Sequence, residues 1–305
     1  MNYAVVGAGA VGGFYGAKLV ASGREVHFLY HSEYEAVKAN GLQVKSPLGD
    51  LSLPVKAYRE ASEMPKVDVV IVALKATQGE ALASALPPLM HEGTYVLCLQ
   101  NGLGNEERIA DLVGNRRVIA GAAFICSERG EPGVVHHYGE GRLSIGPYFL
   151  DASPEVLETA RAIAADFKAA GVPCKVQPNG RSVKWGKLIW NIPYSGGSLY
   201  YGAVPTDQIA GNPEREAFVK TLMAEVMEAS VRDGAAIDPA LPGQNLSATR
   251  SMGAYKPSIL VDFEKGRAVE VDCIFAEPLR RGQAAGLEMP ALVELLRGIR
   301  ATLAR

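Results

Sequence analysis

A glycine-rich segment at the start of the chain has the spacing of a phosphate-binding loop. The strand-like run Tyr3 to Val6 leads into a G-x-G-x-x-G pattern, Gly7-Ala8-Gly9-Ala10-Val11-Gly12. In this pattern the first glycine permits a tight turn, the second lets the backbone approach a pyrophosphate, and the third allows a helix to pack closely on a strand. The segment therefore predicts a dinucleotide-binding loop, and the competing interpretation is a strand-to-helix turn without a ligand.

The turn after the second predicted strand bears on which dinucleotide binds. An NAD site places Asp or Glu there to accept hydrogen bonds from the ribose 2′-hydroxyl, whereas a 2′-phosphate requires donors. The residues are Leu29-Tyr30-His31-Ser32, and the first acid is Glu33, which we expect to start the next helix. Because His31 and Ser32 can donate to a phosphate, the sequence favours NADPH. The alternative is that His31 is a solvated loop residue without a ligand.

Two further polar residues follow predicted strands. Lys75 comes directly after Val70-Ile71-Val72-Ala73-Leu74, and Asn101 follows the run Thr94 to Leu99 within Gln100-Asn101-Gly102. Ligands of open α/β sheets bind outside the carboxyl ends of the strands. We therefore expect both side chains to face a cofactor or substrate, although Lys75 at a helix start and Asn101 as a turn former are the alternatives.

A polar stripe lies on the helix predicted from Ser182 to Tyr200. Lys184, Lys187, Asn191 and Ser195 share one face by α-helical periodicity. Such a stripe is more often a solvated face than a functional one. Spacing alone leaves both interpretations open.

The C-terminal third carries a second group of polar residues. The run Lys256 to Asp262 contains Ser258, and the run Gly266 to Asp272 contains Glu270. Acids such as Glu270 and Asp272 are also typical of the first turn of a helix.

The elements that must position these residues divide the chain in two. From Asn2 to Pro178, short β-branched runs alternate with helical patterns, as in a parallel sheet built from βαβ units. After the turn-type residues 177–180 the pattern is mainly helical. We expect an α/β protein with a Rossmann-type N-terminal domain, residues 1–178, an all-helical C-terminal domain, residues 179–305, and the site in the cleft between them. We interpret the stretch Asp238 to Lys256 as a long loop.

Composition excludes several classes of function. The 305 residues carry 31 Lys and Arg against 33 Asp and Glu, so the chain lacks the basic excess of a nucleic-acid binder. No apolar run approaches the length of a membrane span. The four cysteines form no C-x-x-C pair, which indicates neither a metal site nor a disulfide framework. We expect a cytoplasmic protein that binds neither nucleic acid nor a membrane.

Taken together, these segments resemble the ketopantoate reductase (2-dehydropantoate 2-reductase) family over essentially the whole chain. No single segment is specific, but their order and spacing are. The matching segments are Gly7 to Gly12, Leu74-Lys75, Gln100-Asn101-Gly102, Trp185-Gly186-Lys187-Leu188 with Asn191, and Ser258 through Asp262 to Arg267, Glu270 and Asp272.

The resemblance implies NADPH-dependent reduction of 2-dehydropantoate to pantoate, on the way to pantothenate. It implies that Lys187 is the general acid and that Asn191 and Ser258 bind the substrate. It further implies cofactor contacts for Lys75 and Asn101, and an acid, Glu270, at the nicotinamide and substrate end. An ammonium group near the keto oxygen suits this chemistry, since it stabilises the developing charge and then delivers the proton.

The chain departs from the family pattern at three positions. Ser195 and Pro205 stand where the family usually has substrate asparagines, and His31 stands where it often has an arginine for the 2′-phosphate. We still count Ser195 among the substrate-binding candidates. Two alternatives therefore stay open: an NAD(P)-dependent reductase of another short 2-keto or hydroxy acid, and a non-catalytic NADP-binding sensor. A homodimer through the helical domain is possible, but the sequence does not decide it.

Overall fold

The computed structural model describes residues 1–304, which fall into two compact units. The first comprises residues 1–100 and 105–180, and the second comprises residues 101–104 and 181–305. The short segment 101–104 thus groups with the C-terminal unit although it directly follows a strand of the N-terminal one.

The first unit is built on one sheet whose central strands are parallel. Its strands are β1 (Tyr3–Val6), β2 (Val26–Leu29), β3 (Leu42–Lys45), β4 (Leu51–Leu53), β5 (Lys56–Tyr58), β6 (Val69–Val72), β7 (Tyr95–Cys98), β8 (Val118–Arg129), β9 (Val134–Pro147) and β10 (Cys174–Val176). Their order is β4-β3-β9-β8-β7-β6-β1-β2-β5, with β10 beside β9. The neighbouring strands β5, β2, β1, β6, β7 and β8 all run parallel to one another. Strands β8 and β9 form a long antiparallel hairpin.

The helices of this unit cover both faces of the sheet. They are α1 (Ala10–Ala21), α2 (Tyr34–Asn40), α3 (Leu82–Ala85), α4 (Asn105–Val113) and α5 (Pro154–Ala169), with 3-10 turns at Ala61–Glu63, Ala76–Ala81 and Pro87–Leu89. Along β6, Ile71 packs into the core beneath α1 and α5, whereas Val70 and Val72 pack into the core on the opposite face. This two-sided burial explains why β6 is apolar without alternation.

The second unit has helices and no strand among its described residues. Its helices are α6 (Gly180–Trp190), α7 (Gly196–Tyr200), α8 (Thr206–Ala210), α9 (Pro213–Arg232), α10 (Leu241–Ser251), α11 (Ser258–Glu264), α12 (Glu277–Ala284) and α13 (Pro290–Leu303), with π-helical turns at Asn191–Ser195 and Asp272–Ala276. The long helix α9 packs against α12 and α13. The α/β class with a Rossmann-type sheet followed by a helical region is therefore confirmed.

Three sequence-based expectations about elements are wrong. The stretch Asp238 to Lys256 is not a long loop, because α10 occupies residues 241–251. The helical pattern from Gln78 to Met90 predicts one helix, but this stretch forms only the short helix α3 between 3-10 turns. The helix expected from Ser182 to Tyr200 is interrupted by a π-helical turn.

Among residues 1–304, no helix combines the length and the apolar character that crossing a membrane requires. All four cysteines are free thiols, three of them buried.

Candidate active site

The glycine-rich loop joins β1 to α1, and two of its glycines are required by the protein's own packing. Gly7 has φ +95°, and a Cβ there would lie 2.3 Å from the backbone nitrogen of Leu74. A Cβ on Gly12 would lie 2.3 Å from the carbonyl oxygen of Gly7. Any side chain at either position would therefore displace backbone atoms.

Gly9 is a glycine for a different reason. Its φ is −81°, which any residue adopts, and the atoms closest to a Cβ there would be Cδ and Cγ of Arg129, at 3.4 and 4.0 Å. Packing within the protein therefore does not demand a glycine at this position. The missing side chain instead leaves the backbone open to close approach by a ligand.

The N-terminus of α1 has no capping side chain. Gly9 occupies the N-cap position, no acid lies in the first turn, and no side chain hydrogen bonds to the first amides. Unpartnered N–H groups and the positive end of the helix dipole favour an anion at such a position. The open backbone at Gly9 and the uncapped helix together fit the pyrophosphate of a dinucleotide.

The turn after β2 contains one exposed histidine and one engaged acid. His31 is exposed. Glu33 precedes α2, as expected, and its Oε2 accepts a hydrogen bond of 3.0 Å from the backbone N–H of Gly133. Its other oxygen, Oε1, pairs with the guanidinium of Arg129. The carboxylate of Glu33, the one acid of this turn, thus has two partners within the protein.

The strand ends β1, β6 and β7 converge within the first unit. Leu74 touches the loop at Gly7, and its carbonyl oxygen accepts a 3.0 Å hydrogen bond from Nε2 of Gln100. Lys75, which is partly buried, is the next residue after Leu74. Lys75 thus lies just beyond the carboxyl end of β6, and its expected contact with the cofactor remains a prediction.

A three-residue polar cluster lies in the second unit. Nζ of Lys187 donates to Oδ1 of Asn101 over 2.7 Å, and Nδ2 of Asn101 donates to Oε2 of Glu270 over 3.3 Å. Lys187 lies near the end of α6, and Glu270 immediately precedes the π-helical turn at residues 272–276. Residues more than eighty positions apart in the chain are thereby connected. We call Asn101, Lys187 and Glu270 the amide-linked cluster.

Segment 101–104 is held in this unit by a close backbone approach. Gly102 has φ +77°, and a Cβ there would lie 2.3 Å from the carbonyl oxygen of Cys273. That same oxygen accepts a 2.9 Å hydrogen bond from the N–H of Leu103. Only glycine permits this contact, which fixes Asn101 against the turn that carries Glu270. The Asn-Gly pair was the signal in the sequence, but it indicated only a turn.

Two charged residues at the amide-linked cluster, Glu270 and Lys184, are buried, whereas Asn101 and Lys187 are only partly buried. Glu270 is 5% exposed and Lys184 3% exposed. Burial, and secondly the negative charge of Glu270, raise the pKa of the Cys273 thiol to about 12. The Lys184 ammonium opposes this rise. Charges of both signs therefore act on one another here with little screening by water.

Helix α6, which carries Lys187, is fixed by Asp233 at the end of α9. The carboxylate of Asp233 accepts hydrogen bonds from Nε1 of Trp185 at 2.8 Å, Nη1 of Arg181 at 2.9 Å and Nη1 of Arg281 at 3.1 Å. Three donors from α6 and α12 on one partly buried carboxylate restrict the rotation and translation of α6.

Asn191 and Ser195 lie at the two ends of the π-helical turn that follows α6, and both are buried. Because a π turn closes i→i+5 rather than i→i+4 hydrogen bonds, the α-helical stripe expected from Lys184 to Ser195 does not continue unchanged through it. The turn is flanked by aromatic rings, since Trp190 stacks on Tyr194 with centroids 5.6 Å apart. Sequence periodicity missed this turn, although Pro193 within it was a signal.

Ser258 is the first residue of α11 and is exposed. No hydrogen bond of its side chain joins it to the amide-linked cluster in the structure. Its expected role in substrate binding therefore remains a prediction.

Comparison with known proteins identifies the family. The family model "Ketopantoate reductase PanE/ApbA" matches residues 3–149, and the model "Ketopantoate reductase PanE/ApbA C terminal" matches residues 179–302. The chain belongs to the ketopantoate reductase family. The resemblance inferred from the motifs is thus confirmed.

Individual members of the ketopantoate reductase family are similar to this chain along nearly its full length. The 2-dehydropantoate 2-reductase of Nostoc sp. is 38% identical over 95% of this chain and 92% of its own. The crystal structure of 2-dehydropantoate 2-reductase from Geobacter metallireducens GS-15 has a TM-score of 0.93, with 41% identity and 99% of each chain covered. D-mandelate dehydrogenase with NADH and anilino(oxo)acetate shares the fold, with a TM-score of 0.88, 23% identity, and coverage of 100% of this chain and 99% of that one.

Membership of the ketopantoate reductase family makes the chain an oxidoreductase that uses a nicotinamide cofactor and acts on a small keto acid.

Proposed function

We propose that the protein reduces 2-dehydropantoate to pantoate with NADPH, in pantothenate biosynthesis and in the cytoplasm, and that Lys187 is the general acid. The observation that carries the proposal is the amide-linked cluster, in which Lys187 Nζ donates to Asn101 and Asn101 donates to the buried Glu270. A protein that only binds a dinucleotide has no need of an ammonium group held in this way.

The chemistry divides between cofactor and protein. When bound, a reduced nicotinamide supplies a hydride to the keto carbon. The protein must then stabilise the negative charge that develops on the keto oxygen and must provide one proton. Lys187 does both: its ammonium lowers the energy of the developing alkoxide, and a proton passes from Nζ to the oxygen.

Asn101 and Glu270 hold the ammonium group in place. An asparagine amide can present either its oxygen or its nitrogen, and only the oxygen accepts a hydrogen bond from an ammonium. Because the Glu270 carboxylate accepts from Nδ2, the Oδ1 atom is turned towards Lys187. The ammonium of Lys187 carries three N–H donors, and one of them makes this contact. Glu270 also supplies negative charge that favours the protonated lysine.

The remaining roles follow the family pattern. We propose that Asn191, Ser195 and Ser258 bind the substrate, and that Lys75 binds the cofactor beside the glycine-rich loop. We further propose that residues 1–178 bind NADPH and residues 179–305 supply the substrate and catalytic groups. The preference for NADPH over NADH is supported by the turn after β2. There the Glu33 carboxylate accepts a hydrogen bond from the N–H of Gly133 and forms an ion pair with Arg129.

A panel of 2-keto acids tests the proposal. Loss of the absorbance of reduced nicotinamide is followed with 2-dehydropantoate, pyruvate, 2-ketoisovalerate and phenylglyoxylate, each with NADPH and with NADH. We expect the largest kcat/KM for 2-dehydropantoate with NADPH. A larger value with another acid supports the alternative of a related reductase, which Ser195 and Pro205 keep open, and binding of NADPH without turnover of any acid supports a sensor.

A further inference from the structure

Arg129 lies across the glycine-rich loop. It is the last residue of β8, and its Cδ and Cγ lie 3.4 and 4.0 Å from the position that a Cβ of Gly9 would occupy. The aliphatic part of the side chain therefore lies beside the one glycine of the loop that the protein's own packing does not explain.

The guanidinium of Arg129 points to the turn after β2. It forms an ion pair with Glu33, whose side chain is only 12% exposed, whereas the arginine side chain is 53% exposed. The second carboxylate oxygen of Glu33 is held by the N–H of Gly133. Arg129 thus passes beside Gly9 and is held at its head by a nearly buried acid, while about half of its side chain remains exposed.

Tyr30 lies close enough to the guanidinium to experience its charge. Burial raises the pKa of the Tyr30 hydroxyl, and the positive charge of Arg129 opposes that rise. Tyr30 is the last residue before the His31-Ser32 turn. The positive charge of Arg129 therefore acts at the end of β2, where dinucleotide-binding folds place the adenosine ribose.

The local charges suit a phosphate better than a ribose hydroxyl. The one acid of this turn, Glu33, is paired with the Arg129 guanidinium and with a backbone N–H, so its negative charge is offset where a 2′-phosphate would otherwise be repelled. A guanidinium carries five N–H donors, and an ion pair with one carboxylate oxygen leaves several of them available. Arginine binds phosphate oxygens through such paired donors.

We propose that Arg129 binds the 2′-phosphate of NADPH and thereby sets the cofactor preference of this protein from the β8–β9 hairpin. Glu33 acts as a positioning residue that orients the guanidinium. This inference rests on the proposed use of NADPH. It also explains how a phosphate can be held where the end of β2 offers His31 and no arginine.

Calorimetric titration with two nucleotides that differ only at the 2′ position provides the test. Adenosine 2′,5′-bisphosphate and adenosine 5′-monophosphate are titrated into the full-length wild type, Arg129→Ala and Arg129→Gln, which keeps part of the stem over Gly9. Arg116→Ala is the matched control, because Arg116 is also an exposed arginine of this unit paired with one acid, Asp151. The melting temperature of each variant is measured in parallel.

We expect the wild type and Arg116→Ala to prefer the bisphosphate. Both Arg129 variants should bind the bisphosphate about tenfold or more weakly and the monophosphate within about twofold of wild type. Glu33→Gln should leave the affinity for the monophosphate and for NADH unchanged, whereas a ribose-binding Glu33 would lower both.

The results distinguish the two proposals. If the wild type prefers the bisphosphate and the Arg129 variants keep that preference, the role of Arg129 is refuted while the use of NADPH stands. Equal losses for both nucleotides would place Arg129 at the 5′-phosphate and also overturn the inference. If the wild type shows no preference, both the inference and the proposed NADPH specificity fail.

Discussion

The chemistry of the site depends on the orientation of one amide. Asn101 accepts from Lys187 and donates to Glu270, so reversing the amide would place its NH2 group against the ammonium. The buried carboxylate of Glu270 prevents this reversal. Glu270 therefore acts in two ways, by orienting Asn101 and by placing negative charge near the ammonium of Lys187. A pH profile distinguishes these two effects from a direct contact between Glu270 and the substrate.

We predict that Glu270→Gln lowers kcat/KM about tenfold and shifts the alkaline limb of the pH profile about one unit towards lower pH. Reduction requires the protonated general acid, so activity is lost as pH rises and the lysine loses its proton. Removing the carboxylate makes that loss occur earlier. The measurement is kcat/KM against pH, with Asp272→Asn, an exposed acid two residues away, as the control. An unshifted alkaline limb in Glu270→Gln would contradict this role.

Individual residues of the site were predictable to different degrees. Lys187, Asn191 and Glu270 were found through the family pattern, because spacing within α6 alone does not separate a solvated stripe from a functional one. The contact of Asn101 with Lys187 was not predictable, since it depends on the approach of Gly102 to the Cys273 carbonyl. Arg129 gave no signal, because the end of a hairpin strand can lie against many surfaces.

The elements show where tertiary contacts override local preference. Gly243, Asn245 and Ser247 are poor helix formers, and they suggested a loop. Helix α10 nevertheless forms, because Thr249 accepts a 2.9 Å hydrogen bond from Nε1 of Trp190 and Arg250 pairs with Glu216 at 2.7 Å. The π-helical turn at residues 191–195 likewise escaped prediction, since periodicity arguments assume that the helix keeps 3.6 residues per turn.

The glycine-rich loop supplies a prediction at the scale of the β1–α1 element. Gly9→Ala should leave the melting temperature within about 4 °C of wild type, because alanine is a poorer N-cap residue than glycine by about 1 kcal/mol or less. NADPH should bind about tenfold or more weakly, since the new methyl group occupies the approach of the pyrophosphate.

Gly7→Ala is the matched comparison for this element. Its positive φ and the 2.3 Å approach to Leu74 predict a loss of about 2 kcal/mol or more in the free energy of unfolding. Melting curves and fluorescence titration of NADPH measure both effects. A Gly9→Ala protein that binds NADPH normally would show that the open backbone at residue 9 does not serve the cofactor.

At the scale of the whole molecule, the fold class and the order of the two regions were predictable from the alternation of strand and helix patterns and its end near residue 178. The edges of the sheet were not. Strands β3, β4 and β5 are only three or four residues long, with two apolar residues each, so their pairing partners rather than their sequence define them. The near-zero net charge of the chain also conceals local groups of charged residues. Examples are the Arg129–Glu33 ion pair beside the glycine-rich loop and the two charged members of the amide-linked cluster.

The free energy of unfolding should depend on pH through His27 in β2. Burial, and secondly the nearby Lys56 ammonium, hold the pKa of His27 below its ordinary value of 6.5. Below about pH 6.5 the unfolded chain therefore binds a proton that the folded protein does not, and stability falls with falling pH. The hydrogen bond from Lys56 lowers the pKa of Glu25 below 4.5, so its contribution is lost only at lower pH.

Urea unfolding between about pH 7 and pH 5.5 measures this dependence in wild type and His27→Gln. The variant should be less stable at pH 7, because it loses the contact of the ring with the Tyr58 hydroxyl at 2.9 Å, but it should lose less stability on acidification. Parallel curves for the two proteins would exclude His27 as the source.

The central claim is that Lys187 delivers the proton to the keto oxygen. Lys187→Ala should reduce kcat with 2-dehydropantoate about 100-fold or more, while NADPH binds within about threefold of wild type. Lys187→Arg should remain nearly as slow, because a guanidinium keeps the charge but does not release its proton. The decisive measurement is the single-turnover rate of NADPH oxidation in these two variants. Near-normal rates in Lys187→Ala, or full recovery in Lys187→Arg, would contradict the account.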